Sequence, residues 1–243
     1  MTNDASFTRP DYGIDGSRIR VPLIALGAWV VAVLLLLVPG LAARIAAGVV
    51  AVVALFVTLI AAGFAFYVRR GKLRLRDRLL SLVAWRGDEM VLDIGTGRGL
   101  LMIGAAKKLT SGRSVGIDVW SQVDMESNSI QATLGNADLE GVAGRVEVRS
   151  EDARRLSFAD GSFDVILSNL CLHNIPSREG RAEACREIVR VLKPGGVVVI
   201  SDVFHLAEYA GVFRGAGLSV RISRNRLLEA VTPWHRTLTA SRA

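Results

Sequence analysis

Aromatic residues make up only 6% of this 243-residue chain, which carries just two cysteines and three histidines. Half of it is nevertheless hydrophobic (51%), and its mean hydropathy is +0.37. With so few rings, the apolar content comes from Ala, Val, Leu and Ile. That composition points to helical membrane segments rather than an outsized core. Cys171 and Cys185 have neither metal-type spacing nor partners for a disulfide framework. Cys185 falls on an apolar helical face and reads as a buried free thiol. No metal-ligand cluster, nucleophile triad or carboxylate pair stands at a recognisable spacing, so no metal is expected.

Charge is missing in two informative places. Residues 79–243 hold 20 Lys/Arg against 19 Asp/Glu and are close to neutral, whereas residues 1–78 hold 10 against 4. The net charge of +7 therefore sits almost wholly in the first third. The larger part lacks the basic footprint of a nucleic-acid enzyme, and no nucleic-acid partner is expected. Two runs, 21–38 and 45–68, contain no charged residue. As helices they would reach roughly 27 and 36 Å, against a hydrocarbon core of about 30 Å. The break Pro39-Gly40-Leu41-Ala42-Ala43-Arg44 is short and turn-forming at its start, so the helices would lie antiparallel.

Arg9, Arg18 and Arg20 precede the first run, and Arg69, Arg70, Lys72, Arg74, Arg76 and Arg78 follow the second. The turn has only Arg44. The positive-inside rule then puts both outer flanks in the cytoplasm, with the basic run 69–78 along anionic headgroups. A cleaved leader ending near Ala42-Ala43 is the alternative for the first run, and it leaves the second in place. Residues 1–20 read as a flexible cytoplasmic tail. Residues 21–68 read as a transmembrane hairpin, and residues 69–87 as a basic juxtamembrane segment with a lead-in helix over 76–86. Residues 88–243 form the main domain.

That domain opens with an apolar strand, Met90-Val91-Leu92-Asp93-Ile94, running into Gly95-Thr96-Gly97-Arg98-Gly99 and a helix from about Leu100. Strand, glycine loop and helix form the nucleotide-binding start of a doubly wound sheet. The glycines permit a tight turn and close backbone approach. No Gly-Lys-Ser/Thr follows, which excludes a triphosphate cradle. The third glycine comes one residue sooner than in the dinucleotide fingerprint. The next strand, Ser114-Val115-Gly116-Ile117, ends in Asp118, an acid suited to both hydroxyls of a ribose.

These residues resemble the first two motifs of class I S-adenosylmethionine (SAM)-dependent methyltransferases. The resemblance continues in order. Glu151-Asp152-Ala153 is similar to the family's Gly-Asp-Ala element, with Glu151 in place of the glycine. Residues 162–169 are similar to its fourth strand, followed by Leu170-Cys171-Leu172-His173-Asn174. Leu192-Lys193-Pro194-Gly195-Gly196 resembles the loop before the fifth strand, 197–201. An amphipathic helix over 178–192, a helix over 208–217 and strands over 218–222 and 234–241 fit the family's ending. The likeness is closest to small-molecule and quinone-type methyltransferases.

The resemblance implies an α/β fold, Rossmann-like and doubly wound. Its seven-stranded sheet would be mostly parallel with an antiparallel last strand, preceded here by the two-helix hairpin. It implies SAM as cofactor. Asp93 would order the loop and the methionine end, Gly95 and Gly97 would give backbone approach, and Gly99 close helix packing. Asp118 would take the ribose, Asp152 the adenine, and Asn169 would border the transferring methyl. Thr96, Val119 and Ala153 complete the expected cofactor-binding set. His173, after the fourth strand, is the candidate acid/base beside Asn169, and a histidine that only shapes the rim is its alternative. His205 is a candidate for the substrate side, and His235 reads as structural.

Since SAM is already activated, positioning supplies most of the catalysis, up to roughly 7–11 kcal/mol in favourable cases. The expected function is methylation of a small, hydrophobic or lipid-like acceptor at the cytoplasmic membrane face. Methylation of a membrane protein partner, and a SAM-binding but inactive scaffold, are the other readings. Absence of Asn-Pro-Pro-Tyr after the fourth strand argues against adenine-N6 and glutamine-amide acceptors.

Overall fold

The computed structural model describes residues 9–13, 21–121, 128–226, 229, 232 and 234–242, with backbone alone for 21–25. The remainder of the expected tail, residues 1–8 and 14–20, lies outside them. The chain begins with helix α1 (Val21–Leu36), a turn at residues 37–40, and α2 (Leu41–Phe66). The turn closes through Gly40 at φ +117°, a conformation glycine adopts freely. Trp29 Nε1 donates to Thr58 Oγ1 across the pair at 3.2 Å. Ala32, Ala47 and Ala54 are buried, whereas the larger side chains of both helices are mostly exposed. Small residues let two backbones approach closely.

Two expected boundaries change here. The second apolar run and the lead-in helix are one helix, not two. After α2 the chain passes through a five-residue π turn (Tyr67–Gly71) directly into α3 (Lys72–Leu80). Gly71 is helical at φ −63°, and Leu75, Leu79 and Leu80 are buried, so packing carries the helix through its weak point. The helix also starts earlier, putting Arg44 in its first turn, and ends at Leu80 rather than residue 86. Trp85 Nε1 there donates to the Leu80 carbonyl at 2.7 Å. Among the described residues Leu41–Leu80 is the one helix long and apolar enough to cross a membrane, with only 11% of its most apolar 18-residue window buried.

Beyond α3 come β1 (Met90–Ile94), α4 (Leu100–Ala106), β2 (Arg113–Asp118), α5 (Ile130–Leu139), β3 (Val146–Ser150) and β4 (Phe163–Asn169). They are followed by α6 (Arg178–Val191), β5 (Leu192–Asp202), α7 (Leu206–Gly215), β6 (Ser219–Arg224) and β7 (Arg236–Ser241). The seven strands form one sheet in the order β3-β2-β1-β4-β5-β7-β6. The first five are mutually parallel, and β7 runs antiparallel to both β5 and β6. The mixed sheet is thus Rossmann-like, as expected. Strand order reverses between β1 and β4, which opens a crevice at their carboxyl ends.

Residues 192–196, expected as a loop, belong to β5. The register with β4 jumps from Phe163↔Leu192 to Val165↔Val197, so Lys193–Gly196 bulges out of the strand. The last elements begin and end a few residues from their expected limits. Helix α6 starts on Ser177, whose hydroxyl accepts from the Gly180 amide at 3.0 Å, and it buries Cys185. One core layer packs β1, β2, β4 and β5 against α6 and α7. The opposite face of the sheet covers Leu75, Leu79 and Leu80 of α3 and Leu101 and Ala105 of α4.

Helix α3 is therefore part of the domain's core. Replacing Leu79 by Ala, at a position with no exposure, is expected to cost about 2–5 kcal/mol of domain stability. The exposed Leu59 on α2 (61%) should tolerate the same change in detergent. Denaturant unfolding of both variants checks this.

Candidate active site

The crevice holds a cavity of about 760 Å³. Its floor includes Gly95 and Gly97 of the loop Gly95–Gly99. The Gly95 and Thr96 amides both donate to the Ile117 carbonyl of β2, at 2.9 and 3.0 Å, which folds the loop over the neighbouring strand. Gly95 sits at φ +71°, and a Cβ there would meet Cys171 Sγ at 2.2 Å, so glycine is required on both counts. Asp93, almost fully buried, holds the loop from beneath. One carboxylate oxygen accepts from Thr96 Oγ1 and from the Met102 amide of α4, each at 2.9 Å. Burial pushes its pKa up to about 7, against the opposing pull of those two hydrogen bonds.

Asp118 ends β2 at the cavity wall. Its Oδ2 accepts from the Gly97 amide at 2.8 Å, and its Oδ1 from the Trp120 amide at 2.7 Å and Asn128 Nδ2 at 3.3 Å. Asp152 and Ala153 lie beyond β3. Arg154 grips the Asp152 carboxylate through Nε and Nη2 at 2.6–3.0 Å and through its amide at 2.9 Å. These hydrogen bonds hold Asp152 below the ordinary carboxylate range. Glu151 also lines the cavity and is tied back to Ser157 Oγ at 2.7 Å.

The opposite wall follows β4 and β5. Asn169, the last residue of β4, lines the cavity with a buried Oδ1 that has no hydrogen-bond partner among the described residues. Leu170 then turns at φ +52°, donating its amide to the Ser201 carbonyl at 2.9 Å. That turn brings His173 over the end of β5. His173 Nδ1 lies 2.5 Å from Asp202 Oδ1, and the His173 amide donates to Asp202 Oδ2 at 3.2 Å. Asp202 is fully buried. Phe204 meets the His173 ring edge-on at 6.1 Å. With Nδ1 facing a carboxylate, Nε2 is the nitrogen through which His173 would exchange a proton.

Comparison with known proteins decides the class of this crevice. Residues 92–200 match the family model described as "Methyltransferase domain". The ribosomal protein L11 methyltransferase of Syntrophotalea carbinolica is 33% identical over 135 residues, 55% of this chain and 39% of that one. The ubiquinone/menaquinone biosynthesis C-methyltransferase of Hydrogenovibrio crunogenus is 31% identical over 124 residues, 51% and 45% of the two chains. A SAM-dependent methyltransferase structure from Aquifex aeolicus superposes with a TM-score of 0.55 at 19% identity, covering 71% of this chain and 92% of that one. Residues 92–200 are a SAM-dependent methyltransferase domain. The chain spans about half the length of these curated relatives or less.

The methyltransferase domain takes SAM, and the cavity suits that group. It offers a glycine backbone free of Cβ atoms, a carboxylate at the end of β2 and the unpartnered oxygen of Asn169. Of the residues expected there, Gly95, Gly97, Asp118, Val119, Asp152, Ala153, Asn169 and His173 line the cavity. Asp93, Thr96 and Gly99 do not. The first two brace the loop from below. A Cβ on Gly99 would meet Ile103 Cδ1 at 2.8 Å, which is a packing constraint.

His205 turns to Glu208 Oε1 at 3.0 Å and does not line the cavity. His235 precedes β7 rather than lying in it. It is buried against Ser201 Oγ at 2.9 Å, and burial lowers its pKa to about 4. Asp202, Asn128 and Arg154 were not expected. Asp202 follows the strand read as ending at Ser201, and its meaning emerges only beside His173.

The raised pKa of Asp93 has a sign that can be measured. Its folded value, about 7, lies above the ordinary 3.8, so the folded state holds the proton more tightly than the unfolded one. The contribution of this group therefore favours folding below pH 4 and is lost as pH rises towards 7. Asp93→Asn, which keeps an oxygen for the Met102 amide, should remove that decline. Denaturant unfolding of both proteins from pH 4 to 8 should show their stability difference shifting towards the variant as pH rises.

Proposed function

We propose that the whole chain is a membrane-anchored SAM-dependent methyltransferase acting on a small, hydrophobic or lipid-like acceptor at the cytoplasmic face. One observation carries this reading. The helix that presents Val52, Phe56 and Leu59 at 61–69% exposure continues unbroken into α3, whose leucines are core of the catalytic domain. Each such side chain is worth about 1.5–3 kcal/mol when removed from water, and lipid around a two-helix hairpin spanning 21–66 removes them all. Arg69, Arg70 and Arg74 are exposed where that helix leaves its apolar stretch and suit anionic headgroups. Lys72, Arg76 and Arg78 instead bond within the protein. The relatives named above are a ribosomal protein L11 methyltransferase and a ubiquinone/menaquinone biosynthesis C-methyltransferase, and the hairpin favours a hydrophobic acceptor over a ribosomal one.

Within the site, Gly95 and Gly97 would accept close approach of the cofactor, while Asp93, Thr96 and Gly99 hold the loop in shape. Asp118 would take the ribose hydroxyls, and Asp152, with Val119 and Ala153 beside it, the adenine. Asn169 would border the reacting centre. Bound there, SAM supplies a methyl group on a sulfonium, ready for in-line displacement. His173 would take the proton of an acceptor hydroxyl or comparable acidic group through Nε2. Asp202 orients the ring and stabilises the imidazolium that results.

The reading predicts where label goes. Full-length protein in vesicles of its host's lipids, given methyl-labelled SAM, should place the label in the organic-solvent extract. Label in a protein band, or none transferred, would overturn the proposal. His173→Gln should lower kcat by roughly 10²–10⁴-fold, the range of a lost acid/base group, with SAM affinity unchanged. An unchanged kcat would reduce His173 to a wall of the pocket.

A further inference from the structure

Residues 9–13, which precede the first helix of the hairpin, lie against the catalytic domain behind the cofactor loop. Their anchor is Tyr12, 8% exposed, whose ring packs with Met102, Ile103, Ala106 and Ala137 of α4 and α5. Its hydroxyl donates to Glu140 Oε1 at 2.7 Å. Lys72 Nζ of α3 donates to the Gly13 carbonyl at 2.5 Å, closing the segment from the other side.

Beside this anchor stands Asp11. Its carboxylate pairs with Arg98, the residue between Gly97 and Gly99 of the loop. The Asn136 side chain completes the join. Its Nδ2 donates to both the Asp11 carbonyl at 2.8 Å and the Arg98 carbonyl at 2.9 Å, and its Oδ1 accepts from the Asp11 amide at 2.9 Å. Partial burial alone would raise the Asp11 pKa. The Gly13 amide and the Arg98 guanidinium outweigh it and hold the group below the ordinary carboxylate range.

What this grip governs follows from the next residue along. Arg98 is 9% exposed, so its side chain has little room to swing to water. Gly97 adjoins it at φ +51°, with its carbonyl accepting from Thr133 Oγ1 at 2.6 Å and its amide donating to Asp118. The peptides on either side of Arg98 are thus tied to Thr133 and to Asn136, and the peptide before Gly97 to Asp118. Removing the Asp11 charge changes the field at this buried guanidinium, and three of the five residues of the loop are glycines with no side chain to hold them. We propose that Asp11 is a positioning residue for SAM binding. Through Arg98 it sets the Gly97–Gly99 backbone, and so the hydrogen bond that orients Asp118. The inference rests on the cofactor loop and is independent of the acceptor and of the membrane.

The test uses full-length protein in detergent, with SAM affinity read by calorimetry. Asp11→Asn keeps the Tyr12 anchor and the main-chain bonds to Asn136 but removes the charge. It is expected to weaken SAM binding about tenfold, the scale of one charge-assisted hydrogen bond. It should raise KM for SAM with little change in kcat, leave the thermal midpoint of the ligand-free protein in place, and be rescued by Asp11→Glu. Wild-type SAM affinity in the Asn variant would overturn the proposal. So would a loss of affinity matched by a fall in thermal midpoint and not restored by Glu, because that pattern marks a purely structural role.

Discussion

The Gly97 amide donating to Asp118 Oδ2 is the bond on which the cofactor side of the crevice depends. It joins the loop after β1 to the acid after β2, and the sheet register makes it possible. Ile94 pairs with Ile117, so the two strands end side by side, and Gly95 and Thr96 turn onto the Ile117 carbonyl. Asp93 then fixes the far end of the loop to the first turn of α4. Held at both ends, the loop presents main-chain atoms with no side chain in the way. The Asp118 carboxylate is held by three donors in one orientation. That is preorganisation in the plain sense, since ordering costs are met on folding rather than on binding.

The other wall of the crevice is built by the same device on the next pair of strands. Asn169 pairs with Ser201, so the two strands end side by side. Leu170 turns back onto Ser201, and Asp202 receives both the ring and the amide of His173. The three described non-glycine residues at positive φ are Trp120, Leu170 and His205. They follow the carboxyl ends of β2, β4 and β5 respectively. Each such conformation costs on the order of 1–3 kcal/mol. All three stand where the chain must turn sharply off the sheet beside the cavity, and two of them aim groups that line it: Trp120 donates its amide to Asp118, and Leu170 begins the turn that carries His173.

Continuity of the long helix gives the apolar hairpin and the methyltransferase domain one shared rigid element. A flexible linker would let the domain sample many orientations relative to the hairpin. Here α3 is both the end of that helix and a layer beneath the sheet, and residues 9–13 bind the same region from before the hairpin. The chain therefore holds its catalytic domain at both flanks of the apolar helices. The height and tilt of the crevice relative to those helices are set by core packing.

Much of this was legible in sequence because it is local. Met90-Val91-Leu92-Asp93-Ile94 followed by three spaced glycines is a short-range pattern, and so are Gly116-Ile117-Asp118 and the apolar run into Asn169. What escaped depends on distant residues. The helix break expected before residue 76 did not occur, because burial of Leu75, Leu79 and Leu80 under the sheet outweighs the helix-weakening effect of Gly71. Read from sequence, the fifth strand ends at Ser201, and neither Asp202 nor Arg98 has an assigned role. Each gains its role from a residue 29 or 87 positions away in sequence. A polar residue just past a central strand in such a sheet can therefore be assigned only with its neighbour across the register. For β4 and β5 the Asn169–Ser201 pairing sets Asp202, the last residue of β5, beside the turn that carries His173.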